Sequence, residues 1–155
     1  MRFDIVSDTH GHLSEELLEE LRGADYIVHA GDMCSEGDLR RLERIAPVYM
    51  CLGNNDWGYE YGPGVKRFTR FYAEGLRWEI CHYRERLDLE TCEVAICGHT
   101  HRPFFEVDKR TGTYVMNPGS PTFPRSGKGP TIGRIIAKSG KVLMAEIIPL
   151  NKRRG

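Results

Sequence analysis

Acids, amides and imidazoles stand at the ends of apolar runs along this 155-residue chain. They fall in Asp8-Thr9-His10, Gly31-Asp32, Gly53-Asn54-Asn55-Asp56, His82 and Gly98-His99-Thr100-His101, each after a short hydrophobic stretch that reads as a strand. Carboxylate and amide oxygens mixed with imidazole nitrogens suit hard-to-borderline divalent metals such as Mn, Fe or Zn. Asp8, His10, Asp32, Asn54, His82, His99 and His101 make seven donors. That is too many for one ion and about right for two sharing a bridge, a centre suited to hydrolysing phosphate esters. Each motif alone has a blander reading, such as a capped turn for Asp8-Thr9-His10 or Gly31-Asp32, or a packed core histidine for His82. Together they take up four of the six histidines, all at strand ends, in an order that makes one site.

The elements that must position these residues change character midway. In the first half, strands at Phe3 to Val6, Tyr26 to His29 and Val48 to Leu52 alternate with two helices. Ser14 opens the first helix, with Glu15 and Glu16 where the helix dipole favours acids and Gly23 placed to stop it. The second runs from Gly37 to Ile45 and ends before Pro47. Strand–helix alternation of this length implies parallel pairing through crossover helices. Outside the carboxyl ends of such strands ligands collect, which is where Asp8, Asp32 and Asn54 stand.

In the second half, runs at Arg67 to Ala73, Leu76 to His82, Val94 to Cys97, Pro103 to Val107, Thr113 to Met116, Thr131 to Ile136 and Lys141 to Ile148 alternate with turn signals. They predict a second, mainly antiparallel sheet. The expected fold class is α/β, a four-layer αββα sandwich of two stacked mixed β-sheets flanked by helices, with residues 1–155 as one domain.

Composition narrows the function classes. Acidic and basic residues balance, 22 against 22, so no net field gathers nucleic acid or an anionic membrane. No apolar run approaches the roughly 20 residues that span a bilayer, and the opening Met1 to Val6 is too short and too acidic for a signal peptide. The five cysteines are an odd set without a Cys-x-x-Cys pair, which reads as a reduced, cytoplasmic protein. Cys34 is expected to be a loop residue near the site, and the basic run Lys152 to Arg154 a solvated tail. Trp57, Tyr59 and Tyr61 are expected either to line the site entrance or to serve a subunit contact in a homo-oligomer.

The motif order Asp-x-His, Gly-Asp, Gly-Asn-x-Asp, His, Gly-His-x-His resembles the calcineurin-like metallophosphoesterase superfamily, most nearly its small single-domain prokaryotic phosphodiesterases. Asn117-Pro118-Gly119-Ser120 extends the likeness. The resemblance implies a cytoplasmic hydrolase with two divalent ions, Mn foremost and Ni, Zn, Fe or Mg as alternatives, acting on a small phosphodiester through a bridging hydroxide. By position, Asp8, His10 and His101 would bind the first ion, Asp32 would bridge, and Asn54, His82 and His99 would bind the second. Asp56 would orient a ligand or cap its turn, and His29 would pack behind the site.

The chain departs from the family pattern at two places. Many members carry a histidine, thought to help protonate the leaving group, where this chain has Asn55. An amide cannot act as an acid, so diesters with good leaving groups are expected to be favoured, with His12 the best substitute acid. The second departure follows His82, where the chain reads Tyr83-Arg84-Glu85. Arg84 or Arg102 is expected either to grip a substrate phosphate or to serve a surface ion pair. The competing class is a catalytically weak protein-interaction scaffold of the same fold, as in the retromer scaffold subunit. That subunit departs from the family in its metal-binding positions, whereas all seven are competent here.

Overall fold

The computed structural model describes residues 1–57 and 61–150. Strands β1 (Arg2–Val6), β2 (Tyr26–His29) and β3 (Val48–Met50) are joined by helices α1 (Glu15–Leu21) and α2 (Glu36–Glu43). The second half supplies β4 (Phe68–Ala73), β5 (Leu76–Cys81), β6 (Val94–Ile96), β7 (Phe104–Val107), β8 (Tyr114–Asn117), β9 (Thr131–Lys138) and β10 (Lys141–Pro149). They form two five-stranded sheets, ordered β10-β9-β1-β2-β3 and β4-β5-β6-β8-β7.

The first half folds as its pattern requires. β1, β2 and β3 are parallel neighbours, and both helices begin at serine caps. The Ser14 and Ser35 hydroxyls accept the Leu17 and Asp38 N–H groups at 3.1 and 3.2 Å, satisfying donors that the first helical turn leaves open.

The second half corrects the expectation of a mainly antiparallel sheet. β4–β5 and β7–β8 are antiparallel, but β5–β6 and β6–β8 are parallel. Parallel partners need a crossover. Between β5 and β6 it is built from 3₁₀ turns at Arg84–Arg86 and Leu89–Thr91. The β9–β10 hairpin then leaves this sheet altogether and lays β9 antiparallel against β1. β9 is apolar on both faces because the first sheet is covered on both: Ile132 packs toward the helices and Ile135 between the sheets.

The intersheet core sets Phe3, Ile5 and Val28 against Trp78, Ile80, Ile96 and Met116. Phe3 stacks on Trp78 at 4.3 Å. Gly133 on β9 lets the two sheets approach closely here, since a Cβ there would lie 2.4 Å from Met116 Sδ on β8. On the outer face of the first sheet, Leu17, Leu21, Leu39 and Leu42 of the helices cover Val6, Ile27 and Met50. The outer layer on the second sheet is thinner than expected, made by the two 3₁₀ turns rather than α-helices. The buried Glu79 carboxylate fastens it by accepting from Asp88 N–H and the Thr91 hydroxyl. No described helix is long and apolar enough to cross a membrane.

Candidate metal centre

The carboxyl ends of β1, β2, β3, β5 and β6 meet at one edge of the sandwich. Beyond the ends of β1 and β2 the backbone keeps bonding in register, Asp8 N–H to Gly31 C=O at 2.9 Å and His10 N–H to Asp32 C=O at 3.0 Å. The chain does so in a costly conformation. Eight non-glycine described residues have positive φ, and six of them are Asp8, His10, Asp32, Cys34, His99 and His101. Such strain persists only where surrounding structure enforces it, and it gathers at functional sites.

Five of the seven expected donors converge. Asp8 Oδ1 lies 3.3 Å from His101 Nε2, 3.7 Å from His82 Nε2 and 3.8 Å from His10 Nε2. Asp32 Oδ2 lies 3.4 Å from His82 Nε2 and 3.7 Å from His10 Nε2. The compact donor groups among the described residues are Asp8–His10–His101 and Asp8–Asp32–His82, so Asp8 belongs to both. Asp8, Asp32, His82 and His101 are all buried.

The histidine tautomers are set from behind. His82 Nδ1 donates to Ala30 C=O at 2.8 Å and His101 Nδ1 to Phe123 C=O at 2.7 Å. Each therefore turns an Nε2 lone pair toward the carboxylates, the orientation that carbonyl-anchored metal ligands adopt. Asp8 Oδ1, His10 Nε2 and His82 Nε2 are buried without any hydrogen-bond partner. Unpaired buried polar atoms are costly, and a divalent cation would satisfy all three.

The electrostatics agree. Burial raises the Asp8 pKa against the pull of His82 and His101. Burial also acts to raise Asp32, but neighbouring His82 and the donors of Asn55 hold it well below the usual carboxylate range. Burial disfavours a charge on His82, yet Asp32 and Asp8 raise its pKa above the ordinary value.

The other expected residues take different places. His99 is exposed; its N–H donates to Asp8 Oδ2 at 2.9 Å and its ring meets that of His82 at 5.1 Å. Asn54 is exposed on the loop after β3. Asn55 grips Asp32 through its N–H to Oδ1 at 2.8 Å and Nδ2 to Oδ2 at 3.1 Å. Asp56 caps its turn and does more, as the buried acceptor for the N–H groups of Asp32, Met33, Cys34 and Gly53 and for the Tyr61 hydroxyl. Tyr61 is thereby buried and is not an entrance residue. Trp57 is exposed, while Tyr59 and Lys152 to Arg154 lie outside the described residues.

His12 is exposed and within electrostatic range of Asp38 on α2. Cys34 places its sulfur 3.8 Å from His10 Nδ1. Arg84 pairs with Glu106 and covers the Phe104 ring at 4.5 Å.

Two glycines explain themselves here. A Cβ on Gly53 would lie 2.2 Å from Asp32 Oδ1, and one on Gly98 would lie 2.1 Å from Ser7 Oγ and 2.8 Å from Asp8 Oδ2. Gly53→Ala is therefore expected to displace Asp32 and weaken Mn binding by about 10–100-fold in calorimetric titration. Gly64→Ala, where nothing lies within 4 Å, leaves affinity unchanged.

The Asn117-Pro118-Gly119-Ser120 segment is a strut behind the site. Asn117 Nδ2 donates to Gly98 C=O at 3.0 Å and the Ser120 hydroxyl to Asp8 C=O at 2.8 Å. Ser7 went unnoticed in the sequence; its hydroxyl donates to Asp8 Oδ2 at 2.7 Å, and no motif marks it.

His29 is sealed behind the loop. Its Nδ1 accepts the Gly31 N–H at 3.1 Å, so Nε2 carries the proton and donates to Thr9 Oγ1 at 3.0 Å. Burial lowers its pKa to about 4. Between about pH 4 and the ordinary value near 6.5 the unfolded chain binds a proton that the folded chain refuses. This contribution is thus complete above that window and falls with pH through it, by up to about 1.4 kcal/mol per pH unit. Urea unfolding of metal-free protein across this range should show less acid loss for His29→Gln than for the unsubstituted chain.

Comparison with known proteins agrees with this arrangement. The calcineurin-like phosphoesterase superfamily domain matches residues 1–140. A probable metallophosphoesterase of Methanothermobacter thermautotrophicus is 34% identical over 164 aligned positions, covering 96% of this chain and 92% of that protein. A second, from Methanocaldococcus jannaschii, is 29% identical over 137 positions, covering 81% and 70%. In fold, the chain is similar to wild-type Vps29 of Entamoeba histolytica complexed with zinc, with a TM-score of 0.72 at 20% identity over 97% of this chain and 100% of that one. It is also similar to the Escherichia coli phosphoesterase YfcE, with a TM-score of 0.67 at 23% identity over 97% and 100%. The donor-bearing strand ends and these matches lead to one conclusion: the chain belongs to the calcineurin-like phosphoesterase superfamily.

Proposed function

We propose that this chain is a dinuclear metal-dependent phosphodiesterase that cleaves a small phosphodiester by in-line attack of water. The observation that carries the reading is the trio of buried, unpaired donor atoms, Asp8 Oδ1, His10 Nε2 and His82 Nε2, facing one another across the strand ends. In this reading Asp8, His10 and His101 would hold one ion, Asp32 would be shared, and Asn54, His82 and His99 would hold the other, with Mn the preferred metal. Two such ions supply an acidified water and positive charge for the phosphate oxygens. Asn55 keeps Asp32 oriented by its two hydrogen bonds. It brings no titratable proton, so the leaving group must depart largely unaided and activated diesters are preferred. His12, exposed and beside Asp38, is given no step.

The same reading treats residues 1–155 as one metallophosphoesterase domain, working in a reducing cytoplasm that suits its five free cysteines. A small-molecule substrate is preferred over nucleic acid given the balanced charge. The second reading is a protein-interaction scaffold, favoured by the likeness in fold to Vps29.

The test is hydrolysis of bis(p-nitrophenyl) phosphate by metal-stripped protein titrated separately with Mn, Ni, Zn and Mg, beside p-nitrophenyl phosphate. Restored turnover, greater on the diester, is the expected result. Metal uptake without turnover on either ester would hand the chain to the scaffold reading.

A further inference from the structure

At the end of the sandwich opposite the metal centre, where α1 and α2 finish, lies a cavity of about 460 Å³. Its size falls within the range of small-ligand pockets. Arg22, the C-cap of α1, and Arg44, the C-cap of α2, line it with Arg41, Gly23, Leu18 and Ile45. Gly23 keeps the place open: a Cβ there would lie 2.9 Å from Arg2 Nη1, at the start of β1. The metal donors follow the other end of β1, so five residues of strand, about 17 Å, separate the two places.

The lining carries three guanidinium groups and no carboxylate. Arginines near helix C-termini ordinarily serve the carbonyl groups left open there. Here other groups serve them. The Arg2 side chain takes Glu20 and Arg22 C=O, and the N–H groups of Arg22, Ala24, Arg44 and Ile45 take Glu19, Leu21, Arg41 and Leu42 C=O. The three guanidiniums are themselves loosely held. Arg22 meets Glu19 at 3.5 Å, both side chains exposed, and Arg41 meets Asp38 at 3.8 Å. Such pairs contribute little. Arg44 has no ion-pair or side-chain hydrogen-bond partner among the described residues.

We propose that this cavity is a second anion site, separate from the metal centre, and that it takes a small organic phosphate monoester. Guanidinium forks match phosphate oxygens two at a time. A monoester dianion answers three positive charges better than the single charge of a diester does. Leu18 and Ile45, partly buried against the core beneath the helices, give a short hydrocarbon body an apolar floor. Glu19 and Asp38 stay beside two of the guanidiniums, and acids balance bases over the whole chain, 22 against 22. Both facts disfavour a strand of nucleic acid. The site does not rest on the phosphodiesterase reading.

The test follows backbone amide NMR shifts of the full chain near pH 8, where a phosphate monoester is a dianion. Mg is present as a diamagnetic ion that keeps phosphate in solution. Butyl phosphate, inorganic phosphate and potassium chloride are titrated separately at matched ionic strength. Butyl phosphate is expected to give saturating shifts at Arg22, Gly23, Arg44 and Ile45, with a Kd of about 1 mM or tighter. Inorganic phosphate should bind there about fivefold more weakly for want of apolar contact. Arg22→Gln and Arg44→Gln are each expected to weaken butyl phosphate about tenfold, the scale of a charge-assisted hydrogen bond. Both side chains are exposed, so the variants should fold.

Shifts that potassium chloride reproduces, or that never saturate, would overturn the proposal by making the cluster an ordinary screened surface. Shifts confined to the metal-centre loops, or an affinity unchanged in both variants, would overturn it as well. Equal affinity for inorganic phosphate would overturn the assignment to an organic monoester.

Discussion

Asp32→Ala is expected to lower kcat/KM on an activated phosphodiester by at least about 10³-fold, because several kcal/mol of transition-state stabilisation go with a bridged metal pair. The structure gives this carboxylate no idle oxygen. Oδ1 accepts the Asn55 N–H, and Oδ2 faces the Asn55 amide, His82 and His10. Loss of activity alone would also follow from misfolding, so the informative measurement is paired. Calorimetric titration with Mn should show the stoichiometry fall below two, while the metal-free variant keeps a cooperative thermal unfolding transition. Two buried acids, Asp8 and Asp32, lie close enough to share His82 and His10. His82 and the Asn55 donors already offset their mutual repulsion at Asp32, so removing Asp32 costs these contacts without abolishing the fold. A variant that keeps full turnover, or binds two ions as before, would remove Asp32 from the centre.

The largest expected stability effect is at Asp56. Its carboxylate gathers four backbone N–H groups and the Tyr61 hydroxyl, tying the loop after β2 to the loop after β3. Asp56→Ala leaves several of these donors buried without an acceptor, and urea unfolding should register a loss of about 3–5 kcal/mol. Tyr61→Phe, which removes one donor and leaves the carboxylate in place, should cost only about 1 kcal/mol. If the two variants cost the same, the carboxylate is not the clasp that the geometry makes it.

These two neighbouring acids show what a sequence discloses. Asp32 was legible as a candidate for this edge because an acid after an apolar strand in a parallel sheet has one place to go, the carboxyl end. His82, His99 and His101 were legible as partners by type and strand-end position, yet only His82 and His101 turn buried nitrogens to the carboxylates. Strand-end spacing says nothing of which side of a loop a ring takes once positive φ is imposed at His99 and His101. Asp56 looked like an orienting residue or a turn cap because its role is to receive backbone N–H groups from another loop, and backbone donors carry no residue label. Asn55 read as a missing acid, while its contacts to Asp32 make it a brace.

In the fold, turn signals and alternation located the strands of the second half closely. They could not show that β9–β10 joins the first sheet, since period-two patterning specifies a face and not a neighbour. The clue lay in composition: Ile132 and Ile135 put apolar side chains on both faces of β9, as a strand in a sheet covered on both faces does.

That strand has a bearing on how the protein comes off the ribosome. β1 is made well before β9, yet β9 is one of its two neighbours, with Ile5 opposite Gly133. Until β9 emerges, β1 keeps an unpaired edge, and the buried Asp4 lacks Arg134, its ion-pair partner 130 residues onward. Arg2 alone holds that carboxylate in the interim. Every element between β1 and β9 must be synthesised before the first sheet can close, and contacts so remote in sequence form slowly. The nascent protein is then most vulnerable along the open side of β1, so a chaperone or a short peptide with the pattern of β9 would find its foothold there.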